Sequence, residues 1–579
     1  MSSIAIAGSG GAGVITTGQL LLKASAKAGF FGLAQRSFGP QIRGGESLSL
    51  LRFAEHEIQS PDDAYDLLVL LDTEQVSRFS AEVPLTSESK VIIGNLEDDV
   101  PEFVSRSNAE VIRIPLEDLA KETAEGGENI VTVGIVGHLL GLEKESLQHV
   151  IDAKFKRKEE LLENANGWLE SGLAYVQTHE LNVNVKLSNS SGNKPDWIVN
   201  GSDVCGYGAV SAGIRFCAAY PITPASGILE WLAPNLEKLG GSLIQAEDEL
   251  ASINMIIGSS FGGIPSITAT SGPGLALMTE SIGLAVASET PLIVVNVMRG
   301  GPSTGIPTKS EQSDLNIALH GLHGDAPHLV TAMLSIADTA FTTSWSVWLA
   351  EHLQVPVIAM SDQSMAQSDA SISTPTLWPE KTERLTAAAS DTPYERYALT
   401  ANGISPMAVP GDEEMMYSAD GLEHDIHGHP SAASEIHLQQ LDKRAQKLRE
   451  FEFGESWAEI EGKGDHVILC WGSVSQVAFE AARRMRRDGT NVKVIALRLL
   501  APLQVDTLLK ELAGCEHLLI VEQNHGAQFR AWIRSHIDIP CQHISLAQPG
   551  PLPIRPGQII QAFEQFDTLV EEVEHVANC

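Results

Sequence analysis

The chain is short of positive charge, of paired cysteines and of long apolar runs. Of its 579 residues, 39 are basic and 74 acidic, a formal net charge of −35. That deficit excludes a nucleic-acid binder, which needs a basic face, and a surface built to adhere to anionic lipid. The six cysteines, Cys205, Cys217, Cys470, Cys515, Cys541 and Cys579, are scattered and form no CxxC. This excludes an obvious zinc or iron–sulfur site of the chain's own. It predicts reduced thiols rather than a disulfide framework. No window approaches the roughly 20 apolar residues of a spanning helix. The opening MSSIAIAGSGG has no basic stretch ahead of its short apolar run, so it reads as strand and turn rather than as a signal peptide. A soluble, cytoplasmic protein with no nucleic-acid or membrane partner is expected.

What is present is core material. Hydrophobic residues make up 43% and charged residues 20%, enough for the three to five domains that roughly 100–200 residues per domain would give. Three α/β segments follow one another. The first spans 1–187, with a strand over 3–7, a glycine turn over 8–13, a helix over 14–28 and buried strands at 67–71 and 90–93. A charged helical stretch covers 154–162. SNSSGNKPD, residues 188–196, has linker composition. The second segment, 197–366, alternates strands (215–220, 242–246, 265–270, 291–298, 356–360) with helices (225–239, 249–260, 275–288, 335–352). That alternation predicts a doubly wound parallel sheet. A polar, histidine-rich connection covers 367–455. A smaller α/β unit fills 456–579, with strands at 466–471, 493–497 and 517–521 and helices at 475–488, 505–513 and 527–536.

In a doubly wound sheet the ligand sits beyond the carboxyl ends of the strands, and there the chemistry collects. YPITPAS (220–226) fixes Thr223 between two prolines; equally, it is a proline-rich helix start capped by Thr223 or Ser226. EDELASINMIIG (247–258) sets three acids at a strand end, the last opening an apolar helix. One reading is a desolvated carboxylate positioned for proton exchange, the other a charge complement to a helix N-terminus. TSGPG (270–274) lets a ligand approach the backbone. Arg299, in RGGPSTGIPT, suits bidentate pairing with a carboxylate, or is a surface arginine beside a flexible loop. GSGGAG (8–13) and GPQIRGGES (39–47) fit anion-facing turns, or tight turns with a solvated arginine. His424, His427 and His429 have some metal-ligand spacing in a stretch whose Gly, His and Asp also suit a plain turn. VEQNHGAQFR (521–530) reads as a ligand or partner contact, or as strand capping.

In order along the chain, YPITP, EDELAS, TSGPG, RGGPSTG, GLHGD, SDQ and EQN resemble the α subunit of 2-oxoacid:ferredoxin oxidoreductases. GSGGAG and RSFGPQIRGGES resemble that family's γ subunit, fused upstream. The resemblance implies a multidomain α/β fold. A γ-type α/β domain over 1–187 is followed by a thiamin-diphosphate pyrimidine-binding, doubly wound parallel sheet over 197–366. A transketolase C-terminal-like α/β domain fills 456–579.

It also implies an activity. A 2-oxoacid, with 2-oxoglutarate favoured by the γ–α fusion, reacts with coenzyme A to give an acyl-CoA (succinyl-CoA), CO2 and reduced ferredoxin, reversibly. The cofactor is thiamin diphosphate (ThDP), shared with a β subunit that also brings Mg2+ and a [4Fe–4S] cluster. The assembly is a dimer of αβ heterodimers. By the same resemblance Glu249, Thr223 and Arg299 are catalytic, with Thr223 and Arg299 binding substrate. Tyr220, Pro221, Ile222, Thr223, Glu249, Thr270, Ser271 and Gly272 bind the cofactor. Gly10, Gly11, Arg43 and Gly44 contact CoA. No metal ligand is assigned to this chain. Glu249 rather than Glu247 takes the activating role because a glycine, Gly258, follows it by nine residues, as in thiamin enzymes. Ala12 and Met407 stand where relatives often have glutamine and arginine. The other readings are a pyruvate or branched-chain member of the family, a non-redox thiamin enzyme, or a non-catalytic scaffold.

Overall fold

The structure, a computed structural model, describes residues 1–39, 45–188, 192–388, 393–566, 568 and 570. The chain divides into two compact units, Met1–Asn200 with Gln367–Thr374, and Gly201–Ala366 with Pro375–Cys579.

The first unit is built on an eight-stranded sheet. Its order is Glu110–Arg113, Lys90–Ile93, Leu67–Leu70, Ser2–Gly8, Ser47–Ala54, Phe31–Phe38, Asp369–Ile372 and Trp197–Asn200. The first four strands run parallel and the remaining pairings are antiparallel. The opening strand is buried along its whole length, which explains its unalternating apolar sequence. One core joins Leu21, Phe53, Val131, Trp168 and Leu169; another holds Leu48, Leu68, Phe79 and Val91. The expected helical stretch over 154–162 is broken. One helix ends at Phe155 and the next begins at Glu159, so the basic run between them forms a corner.

The second unit contains two sheets. The larger has the order Leu499–Ala501, Leu329–Ala332, Pro356–Asp362, Leu292–Met298, Ser266–Thr270, Phe216–Ala219 and Ser242–Gln245. Every pairing is parallel except that of the first strand. The smaller has the order Ala458–Gly462, Val492–Leu497, His466–Trp471, His517–Glu522 and Gln542–Ala547, parallel apart from the first pairing. Its core is formed by Ile468, Phe479, Val494, Leu519 and Ile559. Strand Leu499–Ala501 leaves this α/β unit to extend the larger sheet.

The polar connection over 367–455 is largely packed. It supplies a strand to the first unit's sheet and the helix Ser434–Arg449. That helix sends Lys443 and Lys447, one turn apart, to the two carboxylate oxygens of buried Glu289, at 2.5 and 2.9 Å. Arg396, also buried, donates to the Glu289 carbonyl at 2.8 Å. Met407 is fully enclosed and its sulfur accepts from Arg384, so at this position methionine is core.

Candidate active site

The carboxyl ends of the larger sheet's parallel strands gather the residues singled out by the sequence. The three acids of EDE divide by role. Glu247 and Asp248 are exposed. Asp248 is the N-cap of helix Glu249–Phe261 and accepts the Ala251 amide at 2.7 Å, the usual task of an aspartate there. Glu249, at the first helical position, is 7% exposed. None of the described residues donates a hydrogen bond to its carboxylate. A glycine makes room for it: a Cβ at Gly274 would lie 2.8 Å from Glu249 Cγ and Oε1 and 2.1 Å from Thr270 Oγ1. Thr270 and Ser271, both fully buried, end the strand that leads into helix Gly272–Ala287.

Arg299 follows strand Leu292–Met298 and is nearly buried. One Nη donates to the backbone oxygen of Thr223 at 2.5 Å. This joins the YPITP loop to the arginine loop, and it uses the backbone of Thr223. The threonine hydroxyl is not a helix cap: the N-cap of helix Ser226–Lys238 is Ala225, without side-chain capping. Thr223 and Ile222 are half-buried, Tyr220 and Pro221 exposed.

Asp314, which the sequence reading did not single out, completes this side. It accepts from Asn296 Nδ2 at 3.0 Å. A Cβ at Gly272 would come within 2.5 Å of its carboxylate. Burial pushes its carboxyl up, against the opposing pull of the Asn296 amide and of Arg299. The signal available in the sequence was VVNVM, an asparagine inside an otherwise apolar strand. A buried polar side chain of that kind needs a partner.

The segment carrying Asp314 is fixed by the smaller sheet. Gln312 Nε2 donates to the Trp471 carbonyl at 2.8 Å, the Gln312 amide donates to the Gln523 carbonyl at 2.7 Å, and the Gln523 amide donates to Gln312 Oε1 at 2.8 Å. Gln528 Oε1 accepts from the Asn316 amide at 2.9 Å. The EQN motif caps a helix start and ties the strand end to the Gln312 segment of the same chain. Glu522 accepts the amides of Phe529 and Arg530, at the start of helix Gln528–His536, while Gln523 and Asn524 bind Gln312.

In the first unit, GSGGAG forms a turn in which Gly11 and Gly13 have φ of +105° and +82°, values that favour glycine. Asp72 fills one side of it, accepting the Ser9 amide and hydroxyl at 2.7 and 2.8 Å. Gly10 and Gly11 belong to this turn; Arg43 and Gly44 lie outside the described residues. His424 is buried and stacked on Tyr397 at 4.9 Å, with Asp420 3.0 Å from its Nε2. His429 is exposed beside Asp425. Among the described residues no group of three or more His, Cys, Asp or Glu could hold a metal ion.

Three family descriptions match successive stretches of the chain. "Pyruvate ferredoxin/flavodoxin oxidoreductase" covers residues 3–175. "Pyruvate flavodoxin/ferredoxin oxidoreductase, thiamine diP-bdg" covers 207–443. "Transketolase, C-terminal domain" covers 456–563. A 2-oxoacid:ferredoxin oxidoreductase subunit alpha from Sulfolobus sp is 29% identical over 582 residues, 90% of each chain. The 2-oxoglutarate synthase subunit KorA of Methanocaldococcus jannaschii is 34% identical over 332 residues, 57% of this chain and 88% of its own. A solved 2-oxoglutarate:ferredoxin oxidoreductase from Magnetococcus marinus, with 2-oxoglutarate, coenzyme A and succinyl-CoA bound, is 34% identical. It covers 97% of this chain and 99% of that one, with a TM-score of 0.90. The chain belongs to the 2-oxoacid:ferredoxin oxidoreductases.

This oxidoreductase therefore carries a thiamin-diphosphate-binding domain over 207–443. The strand ends suit a polar ligand. Ser271 Oγ, Asn296 Oδ1 and Arg299 Nε are all buried with no hydrogen-bond partner. Other buried polar atoms of the chain also lack a partner, but these three lie together at neighbouring strand ends, where a ligand's own polar groups can meet them.

Proposed function

We propose that the chain is a γ–α fused subunit of a thiamin-diphosphate-dependent 2-oxoglutarate:ferredoxin oxidoreductase that forms succinyl-CoA and CO2. The observation that carries this reading is Glu249, a buried carboxylate with no donor among the described residues, set at a helix start beside the space left by Gly274. Such a carboxylate holds a proton at the edge of a bound aminopyrimidine. Bound thiamin diphosphate supplies a carbon nucleophile and an electron sink for decarboxylation. Thr270, Ser271 and Gly272 line the cofactor's side of the site, with the YPITP residues Tyr220, Pro221 and Ile222 on the neighbouring loop.

Arg299 binds the 2-oxoacid carboxylate through the donors that Thr223 leaves free. The Thr223 hydroxyl, uncommitted to any cap, orients the keto group. Burial of Arg299 shields it from water, which strengthens the ion pair. Coenzyme A is the acyl acceptor, with Gly10 and Gly11 as its contacts. Asp72 already occupies the Ser9 donors, so these contacts use the glycine backbone.

A β subunit supplies the diphosphate's Mg2+ and the [4Fe–4S] cluster, and ferredoxin takes the electrons. The chain's surface supports a partner beside the site. Tyr220, Ile244, Leu250, Met255 and Leu277 are exposed around the strand ends and the helix of Glu249. A Cβ at Gly258, on that helix, would meet nothing within 4 Å. Apolar exposure on this scale is typical of interaction surfaces. A dimer of αβ heterodimers is the proposed assembly.

Two measurements test this. In the reconstituted complex, Glu249→Ala should lower turnover by about 10²–10⁴-fold while the subunits still co-elute; near-normal turnover with intact assembly removes Glu249 from the mechanism. A panel of 2-oxoacids with CoA and methyl viologen should favour 2-oxoglutarate in kcat/KM. Preference for pyruvate would overturn the substrate assignment alone.

A further inference from the structure

Two cysteines distant in sequence meet at the amino ends of neighbouring strands in the smaller sheet. Cys515 lies just before strand His517–Glu522, and Cys541 just before the parallel strand Gln542–Ala547. Their sulfur atoms are 3.1 Å apart, and both residues are half-buried. Both are free thiols, scattered in sequence yet brought together by the fold.

The other described cysteines form a contrast. Cys205, Cys217 and Cys470 are fully enclosed, and burial pushes each thiol up to about 12. At neutral pH such thiols hold almost no thiolate and do not react. In the close pair, contact with Cys541 and then burial push the Cys515 thiol up, while contact with Cys515 draws Cys541 down. In the contact Cys541 Sγ donates to Cys515 Sγ; the same contact favours loss of the Cys541 proton, and the Cys541 thiolate is the better nucleophile. A disulfide needs about 2.05 Å between sulfurs, so closure takes about 1 Å of movement by side chains at loop ends. The pair sits at the opposite end of its strands from Glu522 and Gln523, separated from them by the six-residue strand His517–Glu522, about 20 Å long. Oxidation here would leave the Gln312 contacts in place.

We propose that Cys541 and Cys515 form a peroxide-reactive dithiol that closes to a reversible intramolecular disulfide. The Cys541 thiolate attacks one oxygen of a hydroperoxide. The O–O bond breaks, a sulfenic acid forms, and the departing oxygen takes a proton and leaves as water or alcohol. The Cys515 sulfur then attacks the Cys541 sulfur. The S–S bond forms, the S–O bond breaks, and the hydroxyl leaves with the Cys515 proton as water. Two thiols have lost two electrons and the peroxide has gained them.

The test uses the full chain carrying Cys579→Ser, treated with a small molar excess of hydrogen peroxide, alkylated while folded and mapped by mass spectrometry without reduction. The expected result is a loss of about two mass units and a Cys515–Cys541 linked peptide, reversed by dithiothreitol, with Cys205, Cys217 and Cys470 unmodified. Absence of that linked peptide, or linkage of either cysteine to a second copy, overturns the proposal. Order of attack is read with dimedone. Cys515→Ser should trap a sulfenic acid on Cys541, whereas Cys541→Ser should label Cys515 at least tenfold more slowly. Equal labelling overturns the assignment of Cys541 as the attacking sulfur.

Discussion

Arg299 donates to the Thr223 carbonyl and leaves its Nε buried without a partner. A lysine in its place would keep the charge but lose the planar fork that pairs with a carboxylate. A charge-assisted hydrogen bond contributes about 1.5–3 kcal/mol. Arg299→Lys should therefore raise KM for the 2-oxoacid about ten- to hundredfold with a smaller change in kcat. A fall in kcat alone would place Arg299 elsewhere in the cycle. At this scale the sequence was informative where a residue's type and its position at a strand end both mattered. Glu249, Thr270 and Arg299 are buried at such ends, and the spacing to Gly258 separated Glu249 from the exposed Glu247. Asp314 was not legible, because its setting depends on Asn296 and on Gly272 beyond the sheet's surface. Asp72 escaped for a similar reason. The carboxylate that meets Ser9 comes from 63 residues on.

The segment from Gln312 to Asn316 is an element with no regular structure over most of its length, and it positions Asp314. Its order comes from outside, through Gln312, Gln523, Trp471 and Gln528. Gln312→Ala removes two side-chain hydrogen bonds and leaves the buried Trp471 carbonyl and Gln523 amide without these partners. At about 1–1.5 kcal/mol per bond, the loss should be about 2–3 kcal/mol, measured by urea unfolding. KM for the 2-oxoacid should rise as Asp314 loosens. Unchanged stability would show that the segment is held by its neighbours. Periodicity found helices such as Val14–Lys27, Glu249–Phe261 and Val474–Arg487 and most of the buried parallel strands to within a few residues, because their burial is written in consecutive apolar positions; it did not find the long helices Glu159–Thr178 and Ser434–Arg449, whose sequences are more polar. Among the strands it missed are Phe31–Phe38, Trp197–Asn200, Leu329–Ala332, Asp369–Ile372 and Leu499–Ala501. All of these pair with strands distant in sequence, Asp369–Ile372 with Phe31–Phe38 and Trp197–Asn200, and Leu499–Ala501 with Leu329–Ala332. Such pairings exist only in the folded chain.

At the scale of the whole chain, its many acids conceal one that works in the opposite setting. Glu289 is enclosed, with Lys443 and Lys447 on its carboxylate and Arg396 on its carbonyl. Burial alone would raise its carboxyl; the three cations outweigh that and hold it far below the usual value of 4.5. Burial pushes Lys443 down to about 8. Because the folded pKa of Glu289 lies below the unfolded one, its contribution is complete above pH 4.5 and is lost as pH falls toward the folded value. Glu289→Gln should cost about 3–5 kcal/mol at neutral pH, since it strands two buried ammonium groups. Below pH 4.5 the variant's stability should fall less steeply than the native chain's, by up to about 1.4 kcal/mol per pH unit. Parallel acid limbs in urea titrations would contradict the shift. The polar composition of 367–455 suggested a solvated connection because a sequence does not show which charges are paired. The excursion at Asp369–Ile372 has a further consequence. The polypeptide passes from the first unit to the second after Asn200, returns to add a strand between Phe31–Phe38 and Trp197–Asn200, and departs again at Pro375. Cutting the chain within 188–196 would therefore not release the amino-terminal part. The carboxyl-terminal fragment would still hold two strands of the sheet, and the two pieces would remain one particle, joined by hydrogen bonds where the peptide bond had been.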